Sequence, residues 1–265
     1  MKYYVLADVH GFYSPMKAAL EENGFFEDTE PHKVILCGDM LDRGKEAEKT
    51  VQFFSELQDK GELIFVRGNH EDLMLEMLAN WKFEGDDIRH GWSYHNSNGT
   101  YDSALALAKM GKDASVERGQ DFVNRVRSSD FVKKLIPHSA NFYETQNYIF
   151  VHGWIPCRID DKPPYHQRNV EYQYLPDWRN APDALWDKAR WVPGWNLWEA
   201  DIKDPNKTIV CGHWHCSAPN FYIHNKGEDE ASVFEPFVDD GIICLDACTA
   251  YSKIVNCIVI EDEEI

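Results

Sequence analysis

Val34-Ile35-Leu36-Cys37-Gly38-Asp39-Met40-Leu41-Asp42-Arg43-Gly44 runs from four apolar residues into an acidic turn bracketed by glycines. A short unbroken apolar run of this kind reads as a buried strand. Asp39 then stands at the strand's tip, with Asp42 and Arg43 just beyond it. The arrangement recurs at Asp8-Val9-His10-Gly11, Gly68-Asn69-His70-Glu71, Val151-His152-Gly153 and Gly212-His213-Trp214-His215, each at the end of an apolar run. Five strand tips therefore offer Asp8, His10, Asp39, Asn69, His152, His213 and His215, a set of oxygen and imidazole donors without a thiolate. Such donors suit a pair of first-row divalent metals, a recurring device for phosphoryl transfer.

Outward from this stretch, strands are expected at Tyr3–Asp8, Val34–Cys37 and Leu63–Val66, with helices between them. Ser14-Pro15 opens the first helix, because proline tolerates the first helical turn. Lys45–Leu57 reads as the second. This βαβαβ order implies a partly parallel sheet with helices packed on it. Further strands are expected at Tyr148–Val151, Thr208–Cys211, Ile242–Leu245 and Ile254–Ile260, the last two as a hairpin extending a second sheet. Between 71 and 147 the pattern turns helical (Glu71–Trp81, Tyr101–Lys109, Val116–Leu135), which reads as an inserted α-helical cap. Residues 153–207 are Pro-rich and irregular, and hold Trp154, Trp178, Trp186, Trp191, Trp195 and Trp198. No clean boundary divides the chain, so residues 1–265 are expected to form one domain.

Asp8 and His10 are two apart, so on a strand they share a face and can reach one ion. Alone, that pair reads as an ordinary strand-end turn. Asp39 is placed to bridge two metals, whereas Asp42 is better suited to hold a histidine. Arg43 offers a planar fork of donors that matches phosphate oxygens. A calcium loop fits poorly, because the spaced oxygen ligands and the closing Glu are missing. The carbonyl of Asn69 can serve beside carboxylates, and His70 can protonate a leaving alkoxide if Asp42 orients it. Asn69 and Glu71 also favour the start of the following helix. His152 after a strand would be structural if it stood alone. His213 and His215 can share a face. A closed zinc site of Cys211, His213, His215 and Cys216 is the rival reading, weakened because its ligands do not come as two separated pairs.

The net charge of −18 disfavours a protein that grips nucleic-acid backbones through a broad basic face. The seven cysteines are an odd, unpaired set, which fits a reducing, cytoplasmic setting with buried thiols. No apolar run reaches membrane-spanning length. A leader is not expected either, since a candidate ligand already stands at Asp8. Glu261-Asp262-Glu263-Glu264 reads as a frayed tail. The sequence carries no signal for oligomeric state.

Taken together, these motifs resemble the calcineurin-like metallophosphoesterase superfamily. Gly-Asp-x-x-Asp-Arg-Gly and Gly-Asn-His-Glu look like its phosphoprotein phosphatase branch, which includes serine/threonine phosphatases, the phage lambda phosphatase and bacterial diadenosine tetraphosphate hydrolases. Tyr143-Glu144, Leu185-Trp186 and Ile243-Cys244-Leu245-Asp246-Ala247-Cys248 are similar to bacterial and phage members. The resemblance covers residues 3–80 and 140–260, and the cap matches poorly.

It implies an α/β fold with two mixed β-sheets in a sandwich flanked by helices. It also implies two divalent metals, manganese first, with iron or zinc also accepted. Asp8, His10 and Asp39, completed by His215, would hold one ion; Asp39, Asn69, His152 and His213 would hold the other. His70 and Asp42 would form the acid dyad. Arg43 would bind phosphate, with Asn69 and Arg190 as further substrate contacts. Trp154, where the family usually has a small residue, is expected to narrow the pocket. The leading function expected is a phosphomonoesterase of serine/threonine protein phosphatase type, acting on a phosphorylated protein or a small phosphoester. Hydrolysis of dinucleoside polyphosphates is the alternative. A catalytically degenerate binding module is disfavoured by the intact donors and dyad, and a nuclease by the signature and charge.

Overall fold

The computed structural model describes residues 1–81, 91–161 and 170–265. In chain order the elements are β1 (Lys2–Leu6), α1 (Tyr13–Glu22), β2 (His32–Cys37), α2 (Ala47–Lys60), β3 (Leu63–Val66) and α3 (Asn69–Ala79). Next come α4 (Gly91–Asn98), α5 (Thr100–Ala108), α6 (Lys112–Glu117), α7 (Gly119–Arg127), β4 (Ser139–Ala140), β5 (Tyr143–Glu144) and β6 (Tyr148–Phe150). They are followed by β7 (Cys157–Asp161), β8 (Val170–Tyr174), α8 (Asp183–Ala189), α9 (Gly194–Glu199) and β9 (Thr208–Cys211). The last are α10 (Ser217–Tyr222), β10 (Phe237–Asp239), β11 (Ile242–Cys244), α11 (Thr249–Ser252) and β12 (Cys257–Glu261).

Two five-stranded mixed sheets result, β12-β1-β2-β3-β4 and β10-β11-β9-β6-β5. In the first, β1 to β4 run parallel and β12 is antiparallel to β1. In the second, β11, β9 and β6 are parallel, with antiparallel strands at both edges. Side-chain alternation builds the layers. Tyr3, Val5, Ile35, Cys37 and Val66 point between the sheets and meet Phe150, Val210 and Leu245. Tyr4, Leu6, Val34, Leu36 and Phe65 point the other way, under Met16, Leu20, Phe54 and the helices that follow α3. Ile149, Ile209, Cys211 and Ile242 face Trp154, Trp178 and Trp186 on the far side of the second sheet.

The helices after α3 share the apolar cluster of α1 and α2 through Tyr101, Ala104, Phe122, Val126 and Phe131. Burying one such large side chain contributes about 1.5–3 kcal/mol. Exposed pairs such as Lys112–Asp102 contribute about 0.2–1 kcal/mol, so the apolar face holds the insert.

Several expectations need correction. The final hairpin does not form: β11 stays in the second sheet while β12 crosses to pair with β1, Lys2 opposite Glu261. The acidic end is not frayed. Asp262 accepts hydrogen bonds from Thr145 Oγ1 at 2.6 Å and Asn147 N at 2.7 Å, and Glu264 pairs with Lys33. The helix expected over Val116–Leu135 breaks at Arg118 and after Arg127, where Ser129 Oγ–H donates to Val126 O and competes with the ladder. The segment 153–207 is not wholly irregular, since it carries a two-stranded sheet, β7-β8, and two helices. Parts of the expected cap (82–90) and of that segment (162–169) lie outside the described residues. Among the described residues no helix is long and apolar enough to cross a membrane.

Candidate metal centre

The tips of β1, β2, β3, β6 and β9 converge where the two sheets meet. Asp8, His10, Asp39, Asp42, Arg43, His213 and Cys248 all adopt positive φ there, against four other non-glycine positions so placed among the described residues, Lys109, Asp201, Asn225 and Lys253. Non-glycine residues enter that region at a cost, and such strain collects at functional sites.

Asp39 is the hub. Its Oδ1 lies 3.3 Å from His152 Nε2, and its Oδ2 lies 3.6 Å from His10 Nε2 and 3.8 Å from His70 Nε2. Asn69 Oδ1 sits 2.8 Å from His152 Nε2 and 3.0 Å from His213 Nδ1. Two donor groups emerge, His10–Asp39–His70 and Asp39–His152–His213, each with donor atoms within 4.8 Å of one another. They share Asp39.

Backbone carbonyls select the histidine tautomers. His10 Nδ1–H donates to Leu41 O and His152 Nδ1–H to Cys37 O, both at 2.9 Å. Each ring therefore turns an Nε2 lone pair toward Asp39, as a metal ligand must. Gly68 lets α3 press against this hub, because a Cβ there would stand 2.2 Å from Asp39 Oδ1.

The electrostatics favour a cation. Burial holds His10 neutral and lowers its pKa to about 3; burial and His152 do the same for His213. Burial, with the nearby Asp246 and Asp39, pushes Asp8 well above the usual carboxylate range. Burial alone would raise Asp39 as well, but His152, His70 and His10 hold it low. Crowded buried carboxylates facing neutral imidazoles form a donor set that divalent ions would satisfy. For His70, burial is outweighed by Asp39 and Asp42, which lift it to about 9. Cations at Asp39 would offset part of that lift.

Asp8 and His215 lie outside the two compact groups. Asp8 accepts the His213 backbone N–H on both oxygens, at 2.9 and 3.1 Å. His215 is exposed on the cavity wall, stacked on Trp214. His70 Nδ1–H donates to Asp42 Oδ2 at 2.7 Å, which leaves Nε2 facing the cluster. Arg43 is exposed and lines the cavity. The rival zinc site does not assemble: Cys211 Sγ lies 3.6 Å from Cys244 Sγ, and Cys216 Sγ–H donates to Cys244 O.

Two expectations fail here. Arg190 does not line the cavity. Its guanidinium is used by Asp72 at 2.6 Å, by Asn141 at 2.8 Å and by Asp187, in a separate cleft that ties α8 to α3. Trp154 does not narrow the pocket, because it is buried under the second sheet with Nε1–H donated to Ile202 O.

Other site residues went unassigned in the sequence. Asp246, 3% exposed, lines the cavity and accepts Cys248 N–H. The run Ile242–Leu245 before it repeats the pattern of the five motifs. Glu71 accepts N–H bonds from Gly68, Asp39 and Met40 at 2.7, 3.0 and 2.9 Å, so one carboxylate ties the β2 and β3 turns together. Glu71→Gln turns an NH2 toward at least one of these donors. It is expected to lose about 1–3 kcal/mol of stability, read as a lower urea midpoint; an unchanged midpoint would refute this role.

The cavity holds about 190 Å³. Trp191 and Trp214, each 43% exposed, stand on its rim, their ring centroids 6.1 and 6.3 Å from that of His213.

The family model for calcineurin-like phosphoesterases matches residues 1–233. The chain is 30% identical over 242 residues to the asymmetrical bis(5′-nucleosyl)-tetraphosphatase PrpE of Bacillus velezensis, covering 88% of this chain and 86% of the relative. It is 32% identical over 199 residues to a symmetrical bis(5′-nucleosyl)-tetraphosphatase of Cellvibrio japonicus, covering 71% and 62%. The crystal structure of a mutant cold-active protein tyrosine phosphatase matches 98% of this chain and 75% of that one at 14% identity, with a TM-score of 0.52, a likeness of fold.

Proposed function

The chain belongs to the calcineurin-like phosphoesterase family, and within it we propose a metal-dependent hydrolase of dinucleoside polyphosphates. The rim carries this reading. A cavity of about 190 Å³ encloses a phosphoryl group but not a nucleoside. The rest of a large substrate must therefore lie outside, where two exposed indoles offer faces for a base. Both nucleotide-cleaving relatives support the same choice. The seven free cysteines support a reducing, cytoplasmic setting.

In this reading Asp8, His10, Asp39 and His215 hold one divalent ion, and Asp39, Asn69, His152 and His213 the other. Manganese is our choice, and iron or zinc accept the same donors. Bound ions supply Lewis acidity that activates water and neutralises developing charge. Arg43 grips non-bridging phosphate oxygens with its planar fork. His70 gives the Nε2 proton to the departing oxygen while Asp42 holds the ring through Nδ1–H.

The test compares diadenosine tetraphosphate, a phosphoserine peptide and 4-nitrophenyl phosphate on metal-loaded enzyme. The dinucleotide is expected to be the best substrate, and chromatography of its products locates the cut. Trp191→Ala or Trp214→Ala should cost about 1–3 kcal/mol per stacked base. That is a roughly 5- to 150-fold rise in KM for the dinucleotide, with much less change for the aryl phosphate, which has no base. Equal losses on all substrates would reduce the indoles to packing. Phosphopeptide turnover ahead of the dinucleotide by orders of magnitude would restore the protein phosphatase reading.

A further inference from the structure

Among the described residues, the insert after α3 meets the site at the α4–α5 junction, where Asn98 lines the cavity and accepts from Arg43 Nη2 at 3.5 Å and α5 begins behind the Asp42 turn. Ser103 Oγ accepts the Asp42 backbone N–H at 2.9 Å. Thr100 Oγ1–H donates to Asp42 Oδ2 at 2.6 Å. Gly99 lies so close behind the turn that a Cβ on it would stand 2.3 Å from Arg43 N, and its own φ is +84°. Asp42 and Arg43 meanwhile hold φ values of 77° and 64°. Strain of this kind persists only where the surroundings over-determine it, and here α5 supplies those surroundings.

Asp42 Oδ2 receives two donors, Thr100 Oγ1–H and the His70 Nδ1–H. Its other oxygen, Oδ1, is buried without a partner among the described residues. The carboxylate is therefore oriented entirely through Oδ2. With the Thr100 hydroxyl removed, a single donor would remain, on a ring that itself needs to be held. The carboxylate could then turn its unpartnered oxygen toward His70 or toward the Asp42 backbone, and the ring would lose a fixed direction for Nε2. Thr100 is fully buried.

We propose that Thr100 is a positioning residue for the proton donor: through Asp42 Oδ2 it fixes the His70 ring, and so couples the helical insert to the protonation of the leaving group. This rests on the assignment of His70 as proton donor. It gives the insert a role in the reaction that does not require it to touch substrate.

The experiment uses full-length, metal-loaded enzyme and two aryl esters. Phenyl phosphate has a leaving group that needs a proton; 4-nitrophenyl phosphate has one that needs it far less. Thr100→Val keeps the shape and removes the hydroxyl. The expected result is a kcat on phenyl phosphate lower by about 10-fold, the low end for loss of a partner that orients an active group. The change on 4-nitrophenyl phosphate should be markedly smaller, with KM and metal content unaltered, and Thr100→Ser should restore the difference. Equal losses on both esters, loss of metal, or failure of Thr100→Ser to restore would overturn the proposal. If Thr100→Val does not fold, Thr100→Ala carries the same comparison, and a chain that folds with neither assigns Thr100 to the scaffold and overturns it too. His70→Asn separates the two readings. If it lacks leaving-group dependence, the proton-donor assignment fails. If it shows that dependence and the Thr100 variants do not, only the present proposal fails.

Discussion

Asp39→Asn is expected to empty both metal positions together and to lower kcat by at least about 10²–10³-fold, the scale for removing one preorganised electrostatic group. Asp39 is the one carboxylate common to both donor groups. The asparagine keeps an Oδ1 that can still accept His70 N–H, now at 3.0 Å, so the turn should hold its shape. Elemental analysis after dialysis should fall from two ions per chain to less than one. Thermal unfolding offers a second readout. Ions bound only to the folded state stabilise by about 2.7 kcal/mol at a hundred times their Kd. That metal-dependent rise in Tm should vanish in the variant. The metal-free variant should be somewhat less stable than the metal-free parent, because the imidazoles of His152, His70 and His10 that hold the Asp39 carboxyl low lose their charged partner. A variant that keeps one tight ion and full activity would refute the bridging role.

Much of this centre was legible in the sequence because it lies at the ends of strands buried on both faces. Such strands are short apolar runs, and a glycine-bracketed acidic turn after one has few structural uses. Asp246 closes a run of the same kind but lacks the glycine punctuation, so it drew no role. The dependence of Asp42 on Thr100 had no signal, since a threonine at a helix start is ordinary and its partner lies far along the chain. The same limit explains the last strand. β12 is amphipathic and nearest in sequence to β11, yet its hydrogen bonds go to β1 at the other end of the chain. Arg190 looked available because composition does not reveal that Asp72, Asn141 and Asp187 already use its fork. Exposure separates the indoles in the same way: Trp154, Trp178 and Trp186 pack in the core, while Trp191 and Trp214 face solvent beside the cavity.

His70→Asn carries the second large effect. Positioned acid catalysis typically contributes about 10² to 10⁴-fold, and that is the expected fall in kcat on phenyl phosphate. Asparagine keeps the backbone N–H that meets Asp39 and can still reach toward Asp42, but its amide has no proton to give. On 4-nitrophenyl phosphate the fall should be much smaller, since that leaving group departs without help. The metal content should stay at two ions. This last point is the decisive one, because His70 Nε2 belongs to the same compact group as His10 and Asp39. An imidazole there could serve the ion or the leaving oxygen, and one nitrogen cannot do both at once. The hydrogen bond from Nδ1 to a carboxylate suits either task. If His70→Asn sheds an ion and loses activity equally on both esters, His70 is a ligand and not the proton donor.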